Sequence, residues 1–232
     1  MSLKHYQRVL VIAAHPDDEV LGCGGTIARL VRAGCAVDVA ILGEGITSRY
    51  QQRSAADQAS LKKLRADSRA AADLLGVREL LLYELPDNRF DTVPLLEIVK
   101  IIEDMIAQIR PQAIFTQHGG DLNVDHAQTF RATLTATRPI NDMPVRAVYA
   151  YEVPSSSEWA FQRFSPRFVP NIFSDITGTL ENKIAAMQAY VSEVRPFPHP
   201  RSPEALRAIA QRWGSVVGCG AAEAFELIRE VD

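Results

Sequence analysis

The chain has 232 residues, of which 47% are hydrophobic and 23% charged, with a formal net charge of -3 at pH 7. That composition belongs to one globular domain able to bury a sizeable core, and it excludes a disordered or collagen-like chain. The slight acidic balance argues against a protein that grips phosphate backbones, so no nucleic-acid partner is expected, and no run of about 18 apolar residues is present to span a membrane.

In chain order, residues 8–14 are apolar almost throughout and read as a strand buried on both faces. A helix is expected over residues 18–33, closed by Gly34, and a second strand over 36–42. A polar, glycine-containing loop over 43–53 leads into a helix over 54–75 that ends at Gly76, followed by a strand at 79–83. Apolar residues at 95, 98, 99, 102, 105, 106 and 109, bounded by Pro94 and Pro111, form a helical stripe. A strand at 113–116, a loop over 117–124, a helix over 125–136 and a strand at 146–151 come next. Beyond these, 171–176 reads as a strand and 179–190, 203–213 and 219–229 as helices, with a proline-rich bridge over 195–203.

Short β-branched runs alternating with helical stretches indicate an α/β fold: a Rossmann-like three-layer αβα sandwich with a mainly parallel sheet. A single domain over 1–232 is expected, its part beyond about residue 152 a less regular extension covering the site. Three cysteines, Cys23, Cys35 and Cys219, without C-x-x-C spacing disfavour a disulfide framework and a thiolate zinc site. The apolar run before His15 is too short for a signal-peptide core, so a cytoplasmic protein is expected. Oligomeric state is not legible.

The chemistry concentrates in His15-Pro16-Asp17-Asp18-Glu19, where the first strand passes into a helix. Ligands of open α/β sheets bind beyond the carboxyl ends of strands. Two adjacent carboxylates there repel each other and resist desolvation unless a cation neutralises them. Asp121-Leu-Asn-Val-Asp125-His126 occupies the corresponding place after a later strand. Together the clusters offer two imidazoles and a carboxylate with open coordination positions, the donors expected of catalytic zinc or non-haem iron(II). The competing use of Asp17 or Asp18 is as a helix N-cap.

Ala14-His15-Pro16-Asp17-Asp18-Glu19 with Asp125-His126 resembles the N-acetylglucosaminyl-phosphatidylinositol deacetylase-like, or PIG-L/LmbE-like, family. Leu42-Gly43-Glu44-Gly45, the Arg65 helix ending in Leu75-Gly76-Val77, and Leu85-Pro86-Asp87 extend the likeness along the chain. The resemblance implies a zinc-dependent hydrolase that removes an N-acetyl group from a small-molecule amino-sugar substrate, by way of metal-activated water. It further implies His15, Asp18 and His126 as metal ligands, Asp17 as general base, and Arg65 and Asp87 as substrate contacts. Asp125 reads as a residue that orients a ligand or the base. Many relatives carry a histidine where this chain has Asn123; an amide donates a hydrogen bond but supplies no positive charge. Asn123 therefore performs a weaker version of that role, or His118 or His199 has taken it over, His5 being uninvolved.

Gly22-Cys-Gly-Gly25 lacks G-x-G-x-x-G spacing, and Asp17 and Asp18 would repel a pyrophosphate, so these glycines read as close helix-to-sheet packing. Loop residues Arg49, Arg53, Arg195 and Arg201 could clamp an anion, with solvation the ordinary alternative. Trp159 could stack on a sugar; packing a C-terminal flap over the core is the preferred reading. Two other functions fit the same residues: an amidase cleaving a larger acyl conjugate of an amino sugar, and a non-catalytic sugar- or nucleotide-binding protein.

Overall fold

A computed structural model of the chain describes residues 6–140 and 142–231; His5 lies outside them. The strands are β1 (Arg8–Ala13), β2 (Ala36–Gly43), β3 (Glu79–Leu85), β4 (Ala113–Gln117), β5 (Ala147–Tyr151), β6 (Ile172–Asp175) and β7 (Ala222–Glu230). The helices are α1 (Asp18–Arg32), α2 (Gln58–Leu75), α3 (Leu95–Ile109), α4 (Val124–Ala136), α5 (Leu180–Ala189) and α6 (Pro203–Val217). Among the described residues the seven strands form one sheet, in the order β3-β2-β1-β4-β5-β7-β6. β1 to β5 run parallel, β7 is antiparallel to β5, and β6 is antiparallel to β7.

Period-two alternation assigns the two faces. Val9, Val11 and Ala13 of β1 pack into a cluster with Leu21 and Ile27 of α1, Leu64 of α2, Ile184 of α5 and Leu206 of α6. Leu10 and Ile12 face the other way, against Ile98 and Ile102 of α3 and Ala132 of α4. The result is the expected three-layer, mainly parallel architecture. After β1 the chain winds outward through β2 to β3, then returns to β4 on the other side of β1. The strand ends diverge there, and the His15 and Asp125-His126 turns follow the two strands that flank the divergence.

The expected helix over 219–229 is a correction: residues 222–230 are β7, inserted between β5 and β6 and paired on both edges. Ala and Glu favour helix intrinsically, but ladders on both sides and burial of Ala222, Glu223, Ala224 and Phe225 outweigh that preference. The helix expected from residue 54 starts at Gln58 because Asp57 caps it, accepting from the Ala59 and Ser60 amides at 3.3 and 3.0 Å. Among the described residues no helix is long and apolar enough to cross a membrane.

Gly22 and Gly25 are packing glycines. A Cβ on Gly22 would lie 2.1 Å from Cδ2 of Tyr151, and one on Gly25 would lie 2.7 Å from Cδ1 of Ile176. Tyr151 is fully buried, and its hydroxyl donates to the Ile12 carbonyl at 2.8 Å, so it has no room to yield. Gly22→Ala is expected to cost about 1–3 kcal/mol, the range for overpacking a tight core. Calorimetry would register this as a Tm lowered by several degrees.

Candidate metal centre

His15 leaves the carboxyl end of β1, and Asp17 occupies the N-cap position of α1 with φ 101°, in the left-handed region. A non-glycine residue pays roughly 1–3 kcal/mol to sit there, and such strain concentrates at functional sites. Asp17 makes no side-chain cap hydrogen bond, so capping is not what its carboxylate does. The turn aims the two neighbouring acids in different directions. Asp18 Oδ2 accepts from the His15 amide at 2.8 Å and from Gln117 Nε2, at the end of β4, at 2.9 Å. Asp17 Oδ2 accepts from Arg201 Nη1 at 2.8 Å.

Asp18 Oδ2 also lies 3.4 Å from His15 Nδ1 and 3.2 Å from His126 Nε2. The two imidazole centroids are 5.4 Å apart. His15, Asp18 and His126 thus bring one donor atom each within 4.8 Å of the others, across more than a hundred residues of chain. Zinc–ligand bonds of about 2.0–2.2 Å in a tetrahedron put neighbouring donors about 3.4 Å apart. The spacing of this trio fits a divalent ion, and its nitrogen and carboxylate donors suit zinc or iron(II).

The far side of each ring is backed by a carboxylate. His15 Nε2 is 2.9 Å from Asp125 Oδ2, and His126 Nδ1 is 3.2 Å from Asp121 Oδ1, an ion-pair distance without hydrogen-bond alignment. Such backing fixes ring orientation and raises ligand basicity. Asp125 is itself fixed by the amides of Asn88 at 2.6 Å and Phe90 at 2.8 Å. A second trio, His15, Asp87 and Asp125, is also close enough to hold an ion. Its acids accept hydrogen bonds as Asp18 does, Asp87 from the Ser48 amide at 2.9 Å and from Asn88 Nδ2 at 3.1 Å.

Asn123 is the N-cap of α4: its Oδ1 accepts from the Asp125 amide at 2.8 Å and its Nδ2 donates to Asn88 Oδ1 at 3.0 Å. His126 sits in the first turn of that helix, so the cap sets the height at which its ring enters the site. His118 and His199 part company. His118 is buried against Phe168, its Nδ1 accepting from the Gly120 amide, and it does not line the cavity. His199 does. Asp87 lies in the cavity with the metal donors, whereas Arg65, bonded to Glu84 at 2.5 Å, lines an adjacent cleft with Glu44 and Arg53.

Of the two uses open to Arg201 the structure shows the clamp: its side chain is three-quarters buried, bridging Asp17 and, at 3.2 Å, Glu193. Trp159 does not pack over the core; it is 42% exposed, lines the cavity and sets its edge against His199 at 5.4 Å. Asp121 stands in the second sequence cluster with no role of its own assigned to it, and Glu193 has no place in the sequence reading. Asp121 accepts from the Ser157 hydroxyl at 2.8 Å and from that of Ser156, contacts that bring the 153–157 loop onto the metal-bearing turn. Proximity to His126 in the chain was the only available signal for Asp121, and Glu193 had none.

Burial, the Asp18 charge, Glu193 and Glu19 push the Asp17 carboxyl well above its ordinary range, against the pull of Arg201. Burial also works to raise Asp18, but His126 and His15 hold it well below the usual carboxylate range. His126 is drawn down by burial, yet Asp18 and Asp121 outweigh this and lift it to about 9 in the metal-free protein. A ligand imidazole must be neutral, so metal uptake below that pH expels a proton. Zinc affinity is therefore expected to rise with pH up to about 9, by about tenfold per unit for each proton released. Titrating zinc between pH 6 and the value of His126 checks this; an affinity flat with pH would contradict it.

A donor trio spaced for a divalent ion, at the switch point of a doubly wound sheet and with a carboxylate beside it, is a candidate metal site of the kind α/β hydrolases carry. The family profile described as PIG-L: GlcNAc-PI de-N-acetylase matches residues 10–137, and the chain belongs to that family. It is thereby an N-deacetylase, a hydrolase of an amide C–N bond. It is 26% identical to a protein named Uncharacterized deacetylase YaiS from Escherichia coli (strain K12), over 79% of this chain and 90% of that one. It is 28% identical to 1D-myo-inositol 2-acetamido-2-deoxy-alpha-D-glucopyranoside deacetylase from Mycobacterium sp. (strain JLS), over 84% and 77% of the two chains. Its fold superposes on N,N'-diacetylchitobiose deacetylase from Pyrococcus horikoshii with a TM-score of 0.78 at 22% identity, covering 97% of this chain and 85% of the other.

Proposed function

We propose that the chain removes the N-acetyl group of a GlcNAc-type amino sugar, using zinc, or iron(II) in its place, held by His15, Asp18 and His126. The observation that carries this reading is the convergence of those three donors beside the unsatisfied oxygen of Asp17. Relatives named as deacetylases of an inositol glucosaminide and of diacetylchitobiose support the substrate class. The whole chain is read as one deacetylase domain, the part beyond residue 152 supplying Trp159, Glu193 and Arg201 to the cavity.

The chemistry a divalent ion supplies there is Lewis acidity, which lowers the pKa of a water to roughly 7 and stabilises charge on the acyl oxygen. Asp17 is the proton carrier. Arg201 occupies Oδ2, and Oδ1 has no hydrogen-bond partner among the described residues, so it is the oxygen open to water. Asp17 takes the proton of the attacking water and returns it to the departing amine nitrogen as the C–N bond breaks, releasing acetate. Asp125 and Asp121 hold the two imidazoles, and Asn123 seats His126 by capping α4. Asp87 is positioned to meet the sugar. Arg65 would reach the same substrate only through the neighbouring cleft.

The experiment is metal analysis of the purified protein followed by acetate release from a panel of N-acetylated sugars. One divalent ion per chain with acetate as product supports the reading. Release of a larger acid in place of acetate assigns the amidase alternative, and a metal-free protein that turns over nothing overturns catalysis in favour of a binding protein.

A further inference from the structure

The cavity that holds the metal donors also carries three guanidinium groups, from Arg49, Arg195 and Arg201. Two are neutralised inside the protein. Arg49 Nη2 donates to both oxygens of Glu193, at 2.8 and 2.7 Å, and Arg201 bridges Asp17 and Glu193. Arg195 differs. Its Nη1 donates to the carbonyls of Ser192 at 2.6 Å and Val194 at 3.0 Å, and among the described residues no carboxylate pairs with it. Carbonyls fix the position of a guanidinium without cancelling its charge, so a half-buried cation faces the cavity with Nε and Nη2 unused.

His199 lines the same cavity. Its Nδ1 accepts the Arg201 amide at 3.1 Å, which leaves the proton of the neutral ring on Nε2, and Nε2 has no partner among the described residues. Burial, Arg201 and Arg195 hold His199 below its ordinary pKa. Of the two arginines only Arg195 is without a carboxylate among the described residues, and its positive potential at the cavity wall favours an anion. Trp159 closes the group with an aromatic edge on His199. The cavity, about 570 Å³, falls in the size range that takes drug-sized ligands, which leaves space for more than the reacting acetamido sugar.

We propose that Arg195 and the Nε2–H of His199 form an anion subsite for a carboxylate or phosphate carried by the group attached to the amino sugar. This rests on the amino-sugar deacetylase reading and narrows it, from N-acetylglucosaminides in general to acidic conjugates. The guanidinium fork matches both oxyanions, and a charge-assisted pair there replaces hydration of a cation that no carboxylate among the described residues balances.

The test compares three N-acetylglucosaminides on the zinc-loaded protein: the methyl glycoside, a carboxymethyl glycoside and a 2-phosphoethyl glycoside. At least one acidic glycoside is expected to exceed the methyl glycoside in kcat/KM by tenfold or more, chiefly through KM, and the better of the two identifies the anion. In Arg195→Met that ratio falls to near one, and in Arg195→Lys, which keeps the charge without the fork, it is intermediate. Should the Met variant fail to fold, the ratio in the unmodified protein must still shrink with added salt, as screened charge pairing requires. A ratio near one in the unmodified protein, or one untouched by Arg195→Met, overturns the subsite. Calorimetric binding of the three deacetylated glycosides separates this failure from failure of the deacetylase reading. If no acetate is released, tenfold tighter binding of an acidic amine, lost in Arg195→Met, still upholds the subsite; equal binding of all three overturns it.

Discussion

Replacing Asp17 with asparagine is expected to lower kcat for acetate release by roughly 10²–10⁴-fold, the span attributed to a positioned general acid–base group, while the protein still takes up its ion. The amide is nearly isosteric and can accept the hydrogen bond from Arg201, so the turn into α1 has no steric reason to move. What disappears is the capacity to accept a proton. Burial and the charges of Asp18, Glu193 and Glu19 raise the Asp17 carboxyl well above the usual carboxylate range, against the pull of Arg201, and so strengthen it as a base. None of the trio His15, Asp18 and His126 is altered, so metal stoichiometry is expected to persist. Kinetics and metal analysis on one preparation decide the matter. Full activity in Asp17→Asn would remove Asp17 as the base, and loss of the ion would show that Asp17 serves the metal instead.

The parts of this centre that were legible in the sequence are those whose meaning is local. His15-Pro-Asp-Asp-Glu19 and Asp125-His126 each unite an unusual residue set with a strand end, and the parallel order β2-β1-β4 does the rest by laying those ends side by side. The parts that were not legible depend on segments distant in sequence. Arg201 and Glu193 lie in a proline-rich stretch that resembles any solvated loop until its fold places it over Asp17. Arg49 and Arg65 present the same difficulty: both are plausible substrate contacts by type, but the turn at 47–49 brings Arg49 into the cavity and Arg65 faces its neighbour. The strand over 222–230 was misread because its alanines and glutamates carry helix propensity, and the β5 and β6 edges that override it are invisible locally.

Removal of Asp18 has the second large effect, and it separates the two trios that could hold an ion. Asp18→Ala takes away the one carboxylate that, among the described residues, lies between the His15 and His126 rings, and two imidazoles alone make a weak site. The alanine protein is expected to contain no stoichiometric ion and to release no acetate. Its Tm should fall as well, because the His15 amide and Gln117 Nε2 lose their acceptor, and a stranded buried donor costs about 1–3 kcal/mol. Asp18→Asn distinguishes the causes: its carbonyl oxygen still serves one of those donors, so stability is largely restored, whereas an uncharged amide is a poor ligand and metal affinity remains low. If Asp18→Ala instead keeps a full complement of ion and full activity, the ion belongs with Asp87 and Asp125 on the opposite nitrogen of His15. The same measurements on Asp87→Ala would then show the loss predicted here for Asp18.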